Sequence, residues 1–171
     1  MSTAKVQRKL HRLGAFLIFV PLLVVLVTGL LLQVRKEFEW IQPSEVRGAG
    51  GAPTLTLART LEAARAADVG IETWDDVDRV EFRPAKGLLK VRATNRMEVQ
   101  IDAATGDVLK TARRNSDLIE SIHEGTWFHP RARTWIFLPA AVILFGLWCT
   151  GLYLWLLPHL ARYRKRHSLF G

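Results

Sequence analysis

The chain has 171 residues, 49% of them hydrophobic, with a formal net charge of +8 and a single cysteine. That length has room for two membrane-crossing helices and one modest folded body. The charge has the sign of a nucleic-acid binder, but its placement excludes that partner: every acidic residue lies within 34–134, where an equal number of Lys and Arg balances them.

The excess is Lys5, Arg8, Lys9 and Arg12 at one end and Arg162, Arg164, Lys165 and Arg166 at the other. Between residues 13 and 34 there is no charge, and residues 135–157 repeat the pattern. About 20 apolar residues, rising about 1.5 Å each, cross a hydrocarbon core of about 30 Å, so both runs read as membrane spans. The first is too long for a signal-peptide core and is followed by Gln33-Val-Arg-Lys-Glu37 rather than a small-residue cleavage site, which makes it an uncleaved anchor. Cations flanking both spans place both termini in the cytoplasm, where they meet lipid headgroups. The segments are then a basic head 1–12, a first span 13–34, an exported region 35–134, a second span 135–157 and a basic tail 158–171. Cys149 lies inside the second span, so no intramolecular disulfide forms and the exported region depends on its own core.

Pro21 falls within the first span, where membrane helices tolerate it. Thr28-Gly29 offers a flat patch for another helix, and Trp40 suits the interface beyond the span. Residues 44–53, with Gly48, Gly50 and Gly51, read as a linker. Leu57, Leu61 and Ala64 recur at helical spacing and predict a helix over 54–67, ended by Asp68-Val-Gly70. Period-two alternation follows. Val80 and Phe82 share one face, Leu89, Val91 and Ala93 alternate with Lys90, Arg92 and Thr94, and Met97, Val99 and Ile101 alternate with Glu98, Gln100 and Asp102. Turn chemistry separates these strands, and residues 108–112 form the last. The expectation is one helix on one face of an antiparallel meander, the other face in water. Residues 117–123 predict a short helix with Asp117 and Glu120 at capping-box spacing. In the second span Gly146 and Thr150 form a small-xxx-small contact, and Trp127, Trp135, Tyr153 and Trp155 mark its two interfaces.

Several motifs, in order, resemble the PepSY-associated transmembrane proteins of bacteria: Arg8-Lys-Leu-His-Arg12 entering the first span and Thr28-Gly-Leu-Leu31 ending it; Met97-Glu-Val-Gln-Ile-Asp-Ala-Ala-Thr-Gly-Asp-Val-Leu109, similar to the strand–turn–strand of a PepSY domain; Ile122-His-Glu-Gly125 before the second span and Thr150-Gly-Leu-Tyr-Leu-Trp155 closing it. The resemblance covers nearly the whole chain and is weakest over 37–53. It implies a two-helix membrane hairpin carrying an inserted small α+β PepSY-like domain, a helix on an antiparallel sheet, displayed in the periplasm from the bacterial inner membrane. Larger members have at least four spans and are linked to iron-chelate reduction through haem; this chain has two, so a homodimer or a larger membrane-protein partner would complete the set. Isolated PepSY domains are associated with restraining proteases.

Histidine is the residue type here suited to redox chemistry, as an axial ligand of haem b. His11 and His159 lie just outside the two spans at the cytoplasmic boundary, at similar depth, and an antiparallel helix pair could turn them toward one iron. His123 and His129 lie at the outer boundary, where only Gln33 and Glu37 face them from the first span, so ligation there needs a second copy or another subunit. The plainer reading makes His11 and His159 interfacial, His129 a loop residue before Pro130, and His167 a solvated tail residue. Asp75, Asp76 and Asp78 lack the further oxygen ligands of a calcium site and read as a solvated strand entry. Trp148 reads as a packing residue. No metal site, nucleophile–base spacing or phosphate loop is present in the sequence, so the isolated chain leans away from being an enzyme. Two functions remain: an accessory or haem-linked electron-transfer subunit near iron or metal uptake, and a non-enzymatic binding module that restrains a protease or serves as a structural subunit of a membrane complex.

Overall fold

A computed structural model describes the backbone of residues 3–167 and the side chains of residues 5–159. His167 and the basic tail's Arg162, Arg164, Lys165 and Arg166 lie outside the described side chains. The chain divides into two compact units, residues 1–29 with 121–171 and residues 30–120.

The first unit is a helical hairpin. Helix α1 covers Thr3–Gln33 and helix α4 Leu138–His167. The stretches Lys5–Gln33 and Arg133–His159 are long and apolar enough to cross a membrane. Their side chains are largely exposed: 11% of the most apolar window of the first is buried, and none of the second. Helices buried in a soluble core would show the reverse, so these surfaces suit lipid. Pro21 stays within α1 without ending it. The two helices approach at Gly14, where a Cβ would stand 3.0 Å from Leu147 Cδ2, and at Gly151. Gly146, expected to form that contact, has open space around it because it faces away from α1. Trp148 is likewise exposed and stacks on Phe145, with ring centroids 6.3 Å apart.

The second unit holds helix α2, Leu57–Ala66, and strands β1 Val77–Arg83, β2 Leu88–Ala93, β3 Met97–Asp102 and β4 Val108–Arg113, paired antiparallel in the order β1-β2-β3-β4. Helix α3, Asn115–Glu124, follows β4. α2 starts three residues later than its apolar spacing suggests because the Thr56 side chain caps it, accepting from Arg59 N–H. Ala64 and Ile71 pack on Val91, Ala93, Val99 and Ile101, the apolar face foreseen from the alternation. α3 begins at Asn115, which puts Asp117 in its first turn rather than at a cap; there it accepts from Arg114 Nε at 3.2 Å.

The opposite face of the sheet is not in water. Lys90 and Glu98 are 0% and 1% exposed, and Gln100 and Asp102 are equally buried. The covering element is the segment read as a linker. Val46 N–H donates to Gln100 Oε1 at 2.8 Å, Gln100 Nε2 donates back to Ser44 O at 2.9 Å, and Ala49 N–H donates to Asp102 Oδ2 at 2.5 Å. Gly48 N–H bonds Lys86 O, and a Cβ on Gly48 would collide with Gly87 O. Ile41 is fully buried, and its carbonyl accepts from Ser116 N–H at 2.7 Å. Residues 41–49 therefore form a strap laid over the polar rows of β2 and β3.

Beneath the strap the charges pair. Glu98 Oε2 lies 2.9 Å from Arg114, 3.4 Å from Lys90 and 3.7 Å from Arg92, while Glu45 binds Lys86 at 2.9 Å and Lys90 at 3.1 Å. The Lys86 hydrogen bond, joined by Lys90, holds the Glu45 carboxyl at about 2. The Ala49, Thr105 and Ala104 amides likewise hold Asp102 below the usual carboxylate range. Two of the three aspartates near β1 are accounted for by short-range contacts: Asp76 accepts from the Glu72 and Thr73 amides, and Asp78 pairs with Arg79.

Replacing one member of a buried ion cluster strands the others without solvent. Glu98→Ala should cost about 3 kcal/mol, more than Glu62→Ala, whose exposed pair with Arg59 is worth at most about 1 kcal/mol. Urea unfolding of the detergent-solubilised protein, followed by tryptophan emission, compares the two.

Candidate functional site

The first unit carries two polar contacts of the same kind in otherwise apolar helices. His123 Nδ1 lies 2.9 Å from Thr28 Oγ1, and His11 Nδ1 lies 3.1 Å from Thr150 Oγ1. Each threonine is followed by a glycine against which the ring packs. A Cβ on Gly29 would stand 3.4 Å from His123 Cε1, and one on Gly151 would stand 3.7 Å from His11 Cε1. Each couple joins a histidine preceding one apolar stretch to a Thr-Gly pair late in the other, so one couple sits toward each end of the antiparallel hairpin.

The direction of these hydrogen bonds follows from the helix backbone. Thr28 Oγ1 donates to Val24 O at 2.5 Å, which uses its only proton. It can then only accept, so His123 must carry hydrogen on Nδ1. Thr150 Oγ1 stands 3.0 Å from both Gly146 O and Leu147 O, with the same consequence for His11. In the neutral imidazole the lone pair is then on Nε2, and Nε2 of neither histidine has a hydrogen-bond partner among the described residues.

Local geometry fixes His123 further. Gly125 ends α3 with φ +84°, and its N–H bonds Ile122 O. Any Cβ at that position would collide with the Phe137 ring. Phe137 closes a π-helical turn, Arg133–Phe137, and stacks on Phe128 with centroids 6.3 Å apart. The His-Glu-Gly segment is therefore held between the end of α3 and the start of the second apolar stretch.

The two remaining candidate histidines make their contacts within their own stretch of chain rather than to another helix, and of the two only His129 has the other tautomer. His129 Nδ1 accepts from Arg131 N–H at 3.1 Å, so its neutral ring carries hydrogen on Nε2. His159 Nδ1 donates to Trp155 O at 3.0 Å, and its ring leans on Trp155 at 4.8 Å. His11 packs at Gly151, eight residues before His159, so about 12 Å of helix rise separates their levels. Equal sequence distance from the spans did not translate into equal depth. Among the described residues no three His, Cys, Asp or Glu side chains form a metal-binding group. Thr28 and Thr150 were absent from the sequence-derived candidates as histidine partners. The signal available was the repeated Thr-Gly-Leu-x-Leu at 28–32 and 150–154.

The family described as PepSY-associated TM region matches residues 8–170. Comparison with curated proteins and with solved structures returned no match.

Hydrogen bonds between membrane helices average about 0.6 kcal/mol. In a double-mutant cycle of Thr28→Val and His123→Ala, unfolding in detergent should show a coupling of about 0.5–1 kcal/mol. Thr28→Val combined with His129→Ala should be additive.

Proposed function

The chain belongs to the PepSY-associated TM region family, and on that premise we propose that this membrane protein is an accessory, haem-linked electron-transfer subunit of iron or metal uptake. Its two helices would sit in the bacterial inner membrane, with both termini cytoplasmic and the PepSY-like domain periplasmic. The flanking cations Lys5, Arg8, Lys9 and Arg12 support that orientation. The observation that carries the functional reading is the pair of contacts in which His11 and His123 each set Nδ1 against a threonine hydroxyl of another helix and leave Nε2 without a partner among the described residues.

That donor set fits haem. Iron-bound imidazoles bind through one ring nitrogen and donate the other N–H to an oxygen acceptor. Haem b, when bound, supplies one-electron transfer between its ferric and ferrous states. His11 and His123 are the residues that would hold it, with Thr150 and Thr28 orienting them; His129 has the wrong tautomer for Nε2 ligation. Each end of the hairpin offers one such imidazole between its helices. A second copy of the chain, or a larger membrane partner, would therefore supply the opposite ligand, which makes a homodimer the simplest assembly.

A second reading has one observation behind it. The core, strap and ion cluster lie wholly within residues 30–120, as a non-enzymatic binding module restraining a protease, or a structural subunit of a membrane complex, requires.

After haem supplementation, the purified protein should show a b-type Soret band. His11→Ala and His123→Ala should each remove roughly half of it, and His129→Ala should leave it intact. A colourless parent protein would contradict the electron-transfer reading and favour the binding module.

A further inference from the structure

A cavity of about 660 Å³ lies in the second unit, apart from the histidine couples. Six cationic side chains line it: Arg35, Lys36, Arg83, Lys86, Arg92 and Arg114. Three carboxylates share the lining, those of Glu45, Glu81 and Glu120, so the wall is cationic on balance. Two of these carboxylates are already divided. Glu45 serves Lys86, Lys90 and Arg83, and Glu81 serves Arg83 at 2.8 Å and Arg92 at 2.7 Å. The side chains of Arg35 and Lys36 have no ion pair among the described residues.

The guanidiniums are not saturated. Arg92 Nε is buried without a hydrogen-bond partner, and Glu98 Oε2 stands 3.7 Å from it. Arg83 engages carboxylates through Nε and Nη2, and Arg114 through Nε and Nη1. One Nη of each is therefore left without a carboxylate. A buried donor lacking an acceptor is costly, and buried native donors are seldom left so. An anion in the cavity would accept instead from the guanidinium N–H groups that the carboxylates leave over and from Arg35 and Lys36.

Guanidinium forks match the paired oxygens of phosphate. The volume falls within the range of about 300–1,000 Å³ typical of small-molecule sites, larger than a bare oxyanion requires. Arg35 and Lys36 follow Gln33, the last residue of α1, by two and three positions, at most roughly 11 Å of extended chain. That places two of the ligating cations near the end of an apolar stretch, where phospholipid headgroups begin.

We propose that this cavity binds a phosphate-bearing organic anion, the headgroup of an anionic phospholipid or a soluble phosphate monoester, through Arg35, Lys36, Arg92 and Arg114. The site is independent of haem.

The test uses the full-length protein with two probes. Glycerol 3-phosphate is titrated calorimetrically in detergent, and phosphatidylglycerol is competed against phosphatidylcholine in nanodiscs, with retained lipid measured by native mass spectrometry. Two variants are compared with the parent: the double variant Arg35→Gln/Lys36→Gln, away from the buried cluster, and Arg92→Lys, which keeps charge but loses the fork. Tryptophan emission confirms that each is folded. Parent binding that weakens at least about tenfold in the double variant supports the site. Phosphatidylglycerol retention without glycerol 3-phosphate binding assigns it to lipid, and the converse to a soluble ester. A parent that binds neither probe, or binding unchanged in the double variant, overturns the proposal.

Discussion

A hydroxyl group has one proton, and in an apolar helix that proton goes to the backbone. Thr28 gives its own to Val24 O and Thr150 directs its own to Gly146 O and Leu147 O, so each is left able only to accept. The imidazoles of His123 and His11 must therefore donate through Nδ1. Water would relax this constraint by offering each group an alternative partner; hydrocarbon does not. Two histidines with open Nε2 atoms follow from that arithmetic, and the functional reading follows from them. The rings pack against the glycine after each threonine, and the turn at Gly125, where a Cβ would collide with Phe137, holds the His123 segment in place.

The unit of residues 30–120 obeys a related rule with charges in place of hydroxyls. Its central strands β2 and β3 are buried on both faces, one by α2 and the other by the strap. Burying Lys90 and Glu98 is tolerable only because each has a charged partner and the strap's backbone is satisfied by Gln100 and Asp102. The cluster still leaves Arg92 Nε without an acceptor. The network is nearly closed, and several of its members, with Arg35 and Lys36, line a cationic cavity.

Much of this architecture was legible in the residues. The two apolar runs, the four strands and the apolar face of the sheet follow from periodicity, and the motifs at 8–12, 97–109 and 122–125 pointed to the family that matches residues 8–170. The polar face was misread because alternation gives the period of a strand but not what lies on its second side. Lys90, Arg92, Glu98 and Gln100 look identical in sequence whether they meet water or a strap. Gly48, Gly50 and Gly51 suggested a linker, and the close approach of Gly48 to Gly87 O is a contact that no local pattern encodes. For the histidines, counting residues from the span edges matched His11 with His159, whereas helix packing matched His11 with Thr150. The pairing depends on which faces meet, information carried by Gly14 and Gly151 rather than by the histidines themselves.

The central claim is a protonation state, and nitrogen NMR reads it directly. In protein labelled with ¹⁵N-histidine and held in micelles at a pH where the imidazoles are neutral, His11 and His123 should give the shifts of a protonated Nδ1 and an unprotonated Nε2. His129 should give the opposite pattern. If His11 and His123 carry their hydrogen on Nε2, or exchange freely between tautomers as solvated histidines do, the threonine couples do not hold them and the account fails.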